Sequence, residues 1–228
     1  MKVIILAGGF GTRLSEYTKT IPKPMIKICG KPIITYIIEH YERFGFNEFI
    51  IATGYKKNII NEFFKKYKTQ SNINTIYTGL KTMTGGRLRR LKKIIGNKTF
   101  MMTYGDGISN PNLTNLIKLH KKNKNIATLT AVRPPARFGA IKLNLNKVTY
   151  FKEKSHLDTG WINGGFFICE NSIFNRRFSW FSWFSDCSRS IGFSIFSYFS
   201  SFNGFRFTTF LFCTFCPFTL NTKHTIFP

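Results

Sequence analysis

Apolar positions follow one kind of spacing up to about residue 175 and a different one beyond it. Short apolar or alternating runs at 2–6, 48–53, 74–78, 99–104, 126–132, 140–145 and 165–169 predict strands. Between several of them, apolar residues recur at helical spacing, over 32–44, 57–67, 86–95 and 112–123. In the first of these helices Ile33, Ile37, Ile38 and Tyr41 share one face, and in the second Ile59, Ile60, Phe63 and Phe64 do. Strands that alternate with helices through short loops predict an α/β fold with a mostly parallel sheet covered by helices. In such sheets ligands sit at the carboxyl ends of the strands.

After residue 176 the pattern changes. Phe recurs at 178, 181 and 184, then at 193, 196, 199, 202 and 205, with Ser following many of them. A period of three fits neither strand nor helix. Asp186 is the only carboxylate there. A nucleotide repeat or a shifted reading frame produces such text. The expectation is therefore a domain over 1–175 and an aberrant, frameshifted Phe/Ser-rich tail over 176–228. A membrane anchor and a folded subdomain stay open as alternatives. The uncharged stretches 190–205 and 207–222 are short for a membrane span, Arg206 separates them, and Pro217 interrupts the second.

Composition adds three constraints. Thirty-four Lys and Arg stand against ten Asp and Glu, a formal charge of +24 over 228 residues. The lysines are dispersed beside many asparagines and form no single basic stripe, so neither nucleic acid nor a membrane is expected as a partner. Five cysteines show no paired framework; Cys213 and Cys216 form a CxxC without a second pair. With the first strand beginning at once and no leader preceding it, the expectation is a cytoplasmic protein.

Candidate chemistry collects in loops. Leu6-Ala7-Gly8-Gly9-Phe10-Gly11-Thr12-Arg13-Leu14 follows the first strand, and Pro22-Lys23-Pro24 follows that. Glycines let backbone N–H groups approach a polyphosphate, Arg13 adds a planar fork for phosphate oxygens, and the prolines constrain Lys23. As a loop lysine, Lys23 is expected to be solvated. Tyr104-Gly105-Asp106-Gly107 puts a carboxylate at a strand end, a natural Mg²⁺ site beside a triphosphate. Glu153-Lys154 offers an acceptor for hydroxyls and a cation for phosphate, and Asn163 in Asn163-Gly164-Gly165 offers both a donor and an acceptor. Thr84 and Arg87 open a helix in Met83-Thr84-Gly85-Gly86-Arg87-Leu88, where N–H groups favour anions. Arg137 and Gly139 lie in a proline-rich turn and could line a sugar site or a subunit contact.

The first loop with its PKP, the TGGRL, YGDG and PPARFGA strings and the INGGFF occur in that order. Over about residues 1–175 the chain resembles the sugar-1-phosphate nucleotidyltransferases, and within them the glucose-1-phosphate cytidylyltransferase branch. The resemblance implies a three-layer, Rossmann-like sandwich of the nucleotide-diphospho-sugar transferase type. It implies transfer of a cytidylyl group from CTP to glucose 1-phosphate, with Mg²⁺ as cofactor, and allows a homo-oligomer. Leu6, Ala7, Gly8, Gly9, Gly11, Thr12, Arg13, Thr84, Arg87 and Gly105 would bind the nucleotide. Arg13, Lys23 and Lys154 would act in catalysis. Gly139, Glu153, Lys154, Asn163 and Gly164 would hold the sugar phosphate, and Asp106 the metal.

The chain departs from that pattern in three places. Ser155 follows the Glu-Lys where the family has proline. The segment before TGGRL looks shorter than in the family. The second metal-binding aspartate that the family draws from its C-terminal part has no counterpart in the Phe/Ser tail. UTP or dTTP as the nucleotide, and a defective or non-catalytic relative that binds sugar nucleotides, therefore remain alternatives.

Overall fold

An interior strand of the sheet, β1 (Val3–Ala7), is buried on both faces, as a continuous apolar run requires. The computed structural model describes residues 1–12, 15–133, 140–144, 147–152, 161–175 and 193–197. After β1 come a single helical turn α1 (Ser15–Thr18), a two-residue ribbon β2 (Lys27–Ile28) and β3 (Lys31–Pro32), and then α2 (Ile33–Glu42). The chain continues through β4 (Glu48–Thr53), α3 (Lys57–Lys66), β5 (Asn72–Tyr77), α4 (Thr84–Ile95), β6 (Phe100–Tyr104), α5 (Leu113–Asn123) and β7 (Ala127–Val132). A hairpin, β8 (Ala140–Asn144) and β9 (Lys147–Lys152), leads to β10 (Ile162–Cys169), and β11 (Phe193–Ser197) follows.

Seven strands form one sheet in the order β11-β7-β10-β6-β1-β4-β5. The strands β6, β1, β4 and β5 are mutually parallel, and β11 runs parallel to β7. β10 is antiparallel to both of its neighbours. From β1 the chain steps to β4 and β5 on one side and returns to β6 on the other. Strand order thus reverses beside β1, the position at which open α/β sheets leave a crevice.

Alternation along the strands sorts the core into two layers. Val3, Ile5, Ala7, Phe49, Ile51, Met101, Phe166 and Ile168 face the helix residues Ile34, Ile37, Ile38, Tyr41, Ile60, Leu113 and Leu116. Ile4, Ile50, Ala52, Phe100, Met102 and Phe167 face Leu88, Leu91 and Ile95 of α4. The result is the three-layer sandwich that the strand–helix alternation implies. Each fully buried Val, Leu, Ile, Phe or Met among them contributes about 1.5–3 kcal/mol.

The element bounds differ from expectation by a few residues, and three features were not foreseen. α4 begins at Thr84, two residues early, since Gly85 and Gly86 lie inside its first turn. β10 opposes the parallel direction. Past residue 176, where the three-residue period predicted no regular element, β11 pairs with β7 from Phe193↔Ala127 to Ser197↔Ala131. Its Phe/Ile content suits a strand despite the repeat.

The end of the sheet away from the crevice is tied by a polar network. The His120 ring contacts Thr128 Oγ1 (2.8 Å) and Glu170 Oε1 (2.9 Å), and the Thr99 hydroxyl donates to the same carboxylate. His40 is different. It sits in α2 among the rings of Tyr41, Phe44 and Phe166, with Nε2 donating to the Pro111 carbonyl (3.1 Å). Burial, reinforced by Arg43 and opposed by the Pro111 carbonyl, lowers its pKa below the usual 6.5. The unfolded chain therefore binds a proton that the native state refuses. The resulting contribution is present above pH 6.5 and lost as pH falls below it. The thermal midpoint of the unsubstituted chain should drop more between pH 7 and pH 5.5 than that of His40→Gln, which keeps a donor for Pro111. Equal drops would show that His40 does not contribute.

Candidate active site

The crevice beside β1 holds a buried ion pair. Lys23 Nζ lies 2.6 Å from Asp106 Oδ2, with the two side chains only 8% and 10% exposed. Lys23 stands in a single 3₁₀ turn, Lys23–Met25, flanked by the buried Pro22 and Pro24. The expected solvated loop lysine is thus corrected: the proline-bounded turn packs it inward against the end of β6. Asp106 follows β6 directly. The Gly105 N–H donates to the Leu6 carbonyl (2.9 Å), which stitches the YGDG segment to the first loop. A Cβ on Gly105 would lie 2.9 Å from that carbonyl and 3.2 Å from Pro24, so the approach needs glycine.

The glycine loop leaves β1 at the same edge. Gly11 takes φ +67°, and its carbonyl accepts from Thr18 Oγ1 (3.1 Å) in α1. Gly9, Phe10 and Thr12 are exposed, whereas Ala7 and Gly8 are buried. The loop after β4 braces this turn from the side. The Tyr55 N–H donates to the Gly8 carbonyl (3.2 Å), the Tyr55 hydroxyl to the Thr18 carbonyl (3.2 Å), and the Tyr55 ring packs on Phe10. Lys56 Nζ bonds the Lys19 carbonyl. Composition did not single out Tyr55, because a lone tyrosine after a strand carries no local signal.

Arg87 lies beneath the loop at 5% exposure. Its guanidinium donates to the carbonyls of Gly8 (2.8 Å), Thr53 (3.1 Å), Gly79 (2.8 Å) and Leu80 (3.3 Å) and to Thr78 Oγ1 (2.7 Å). Burial first, then Arg90, lowers its pKa from the ordinary arginine value. Thr84, half-buried, opens the same helix.

Asn163 and Gly164 start β10 beside the end of β6. Gly165 stands against Tyr104, and Phe166 pairs with Thr103. A bulge interrupts the pairing with β7 between Asn163 and Phe167. Asn163 Oδ1 accepts from the Gly165 N–H (2.8 Å), so the side-chain acceptor closes the bulge and Nδ2 remains as its donor. A Cβ on Gly164 would sit 2.6 Å from Thr130 Oγ1. Arg13, Gly139, Glu153 and Lys154 lie outside the described residues, as does Arg137. The described ends of the β7–β10 connection pair with each other, Val132 with Ile162, on the crevice side of the sheet.

The structure therefore gathers Leu6 to Gly9, Gly11, Lys23, Arg87, Gly105, Asp106, Asn163 and Gly164 at one edge. The exposed residues Gly9 and Thr12 and the nearby lysine offer donors that an anion could use there. Asp106 can hold a hard cation, which accepts one or two carboxylates with phosphate oxygens and water completing its shell. Among the described residues no cluster of three or more His, Cys, Asp or Glu competes for that cation. None of the described helices is long and apolar enough to cross a membrane.

The model of the nucleotidyl transferase family matches residues 2–198. The chain is 40% identical over 196 residues to the glucose-1-phosphate cytidylyltransferase of Salmonella typhimurium, covering 76% of each. It is 34% identical over 176 residues to the D-glycero-alpha-D-manno-heptose 1-phosphate guanylyltransferase of Campylobacter jejuni, covering 77% of this chain and 78% of that one. The solved structure of HddC from Yersinia pseudotuberculosis complexed with GMP-PN superposes with a TM-score of 0.65 at 28% identity, covering 86% and 90% of the two chains. A glycine loop, a lysine and an aspartate meeting at the reversal of a parallel sheet agree with that match, and the chain belongs to the nucleotidyl transferase family.

Proposed function

We propose that this chain transfers a cytidylyl group from CTP to glucose 1-phosphate, giving CDP-glucose and pyrophosphate. The observation that carries this reading is the Lys23–Asp106 pair, held at the crevice and joined to the glycine loop through Gly105 and Leu6. Similarity to the Salmonella typhimurium enzyme supports the cytidylyl and glucosyl parts. The loop N–H groups around Gly8, Gly9 and Gly11, with Thr12 and Arg13, bind the triphosphate, and Thr84 lies beside it. Glu153, Lys154, Asn163, Gly164 and Gly139 hold the sugar phosphate.

A sugar-phosphate oxygen attacks the α-phosphorus. One P–O bond forms while the bond to the departing pyrophosphate breaks, and the bonding pair leaves with pyrophosphate. The nucleophile is already ionised, so positioning and charge neutralisation are what the protein supplies. Asp106 would hold Mg²⁺, which neutralises charge on the nucleotide phosphates when bound. Lys23 would contact a phosphate oxygen at the reacting centre. Lys154 and Arg13 add positive charge.

Residues 176–228 we read as an aberrant segment replacing one that supplies a second carboxylate, with β11 borrowing the edge of β7. On that reading the full chain keeps its nucleotide site and turns over slowly.

A panel of CTP, UTP, dTTP, ATP and GTP with glucose 1-phosphate, scored by pyrophosphate release, should give the fastest turnover with CTP. A preference for dTTP or UTP would move the chain to another branch. Lys23→Ala should lower turnover at least ~10²-fold. It should also cost about 3–5 kcal/mol of stability, because Asp106 is left buried without its partner. Adding Asp106→Asn should restore the stability measured by urea unfolding and leave turnover low. Retained turnover in Lys23→Ala would assign the cation to another residue. A form with the reading frame of residues 176–228 restored should make CDP-glucose much faster than the chain as it stands. Equal rates would make the tail authentic or the second carboxylate dispensable.

A further inference from the structure

Arg87 is placed where it cannot act as an ordinary surface phosphate ligand. Its donors run to oxygens of five residues, at the end of β4 and in the loops after β1 and β5, and among the described residues it forms no ion pair. Two glycines are shaped by it. A Cβ on Gly8 would lie 2.1 Å from Arg87 Nη1, and one on Gly54 would lie 2.6 Å from both that nitrogen and the Gly8 carbonyl oxygen.

The consequence follows from peptide geometry. The Gly8–Gly9 peptide is trans, so its carbonyl and its N–H point in opposite directions. Arg87 Nη2 and the Tyr55 N–H both hold the Gly8 carbonyl on the inner side. The Gly9 N–H is thereby turned outward, at an exposed residue whose Cβ position has no atom within 4 Å. An outward N–H next to a buried guanidinium is a donor for an anion.

We propose that Arg87 is a positioning residue, which fixes the Gly8–Gly9 peptide so that the Gly9 N–H receives a phosphate oxygen of the nucleoside triphosphate. This rests on the nucleotidyl transfer reading above. Arg87 then touches neither base nor phosphate. It acts through the peptide that it holds and through its charge, which among the described residues no carboxylate offsets.

Equilibrium binding of CTP and of cytidine to the full chain, with thermal midpoints recorded alongside, tests this. Arg87→Gln should weaken CTP at least ~10-fold, the effect of losing a preorganised donor to a charged oxygen, and shift cytidine by no more than about twofold. Arg87→Lys keeps the charge without the fork and should recover little of the loss. Equal losses for CTP and cytidine would mean a direct base contact and overturn the proposal. Unchanged affinities with a lowered midpoint would make the role purely structural and also overturn it. Full recovery with lysine would assign the effect to charge alone and do the same. If Arg87→Gln does not fold, Gly54→Ala keeps the guanidinium but displaces it, and the same selective loss of CTP is expected. Failure of the unsubstituted chain to bind CTP would overturn the nucleotidyl reading itself, and this inference with it.

Discussion

One buried cation holds the crevice together. The Arg87 guanidinium joins the carbonyl of Gly8 after β1, that of Thr53 at the end of β4, and Thr78, Gly79 and Leu80 after β5. All its acceptors are neutral oxygens. Taking a guanidinium out of water is costly unless its hydrogen bonds are replaced, and five acceptors replace them. Burial and Arg90 pull its pKa down, yet an arginine begins so high that the charge survives. The three strand ends therefore converge around a fixed positive centre, and the loop above it inherits both its shape and its potential.

The second pair of charges has the opposite character. Lys23 and Asp106 neutralise each other, so Asp106 is not an isolated carboxylate beside the glycine loop. Such a pair makes a poor contribution to folding compared with apolar residues of the same size, because both groups lose their hydration. What distinguishes it is dehydration: two groups already out of water and in contact face a smaller further desolvation cost than exposed ones when either meets another charge.

Much of the fold was legible in the sequence, since apolar periodicity decides both element type and buried face. Val3 and Ile5 fall in one layer and Ile4 in the other, as strand alternation requires. What was not legible depended on distance along the chain. Arg87 sits 79 residues from Gly8, and no local pattern announces that the two meet. Lys23 looked like a solvated loop residue, because burial came from Pro22, Pro24 and the end of β6, not from its own neighbourhood. The antiparallel direction of β10 was hidden for a different reason: a strand apolar on both faces reads alike in either direction. The Asp106 and glycine-loop positions were legible because glycine and aspartate at strand ends are chemically restrictive choices.

The antiparallel β10 also settles something about the connection before it. Because Val132 and Ile162 pair across the sheet, the chain departs and re-enters at one point, on the side where the crevice opens. The intervening stretch, which carries the β8–β9 hairpin, is an insertion whose two ends are clamped together. Residues can be gained or lost within it without shifting the register of any strand in the sheet. Length and sequence can therefore vary in that stretch while the edge that carries the glycine loop, Lys23 and Asp106 keeps its shape, so one scaffold tolerates change at its rim without rebuilding its centre.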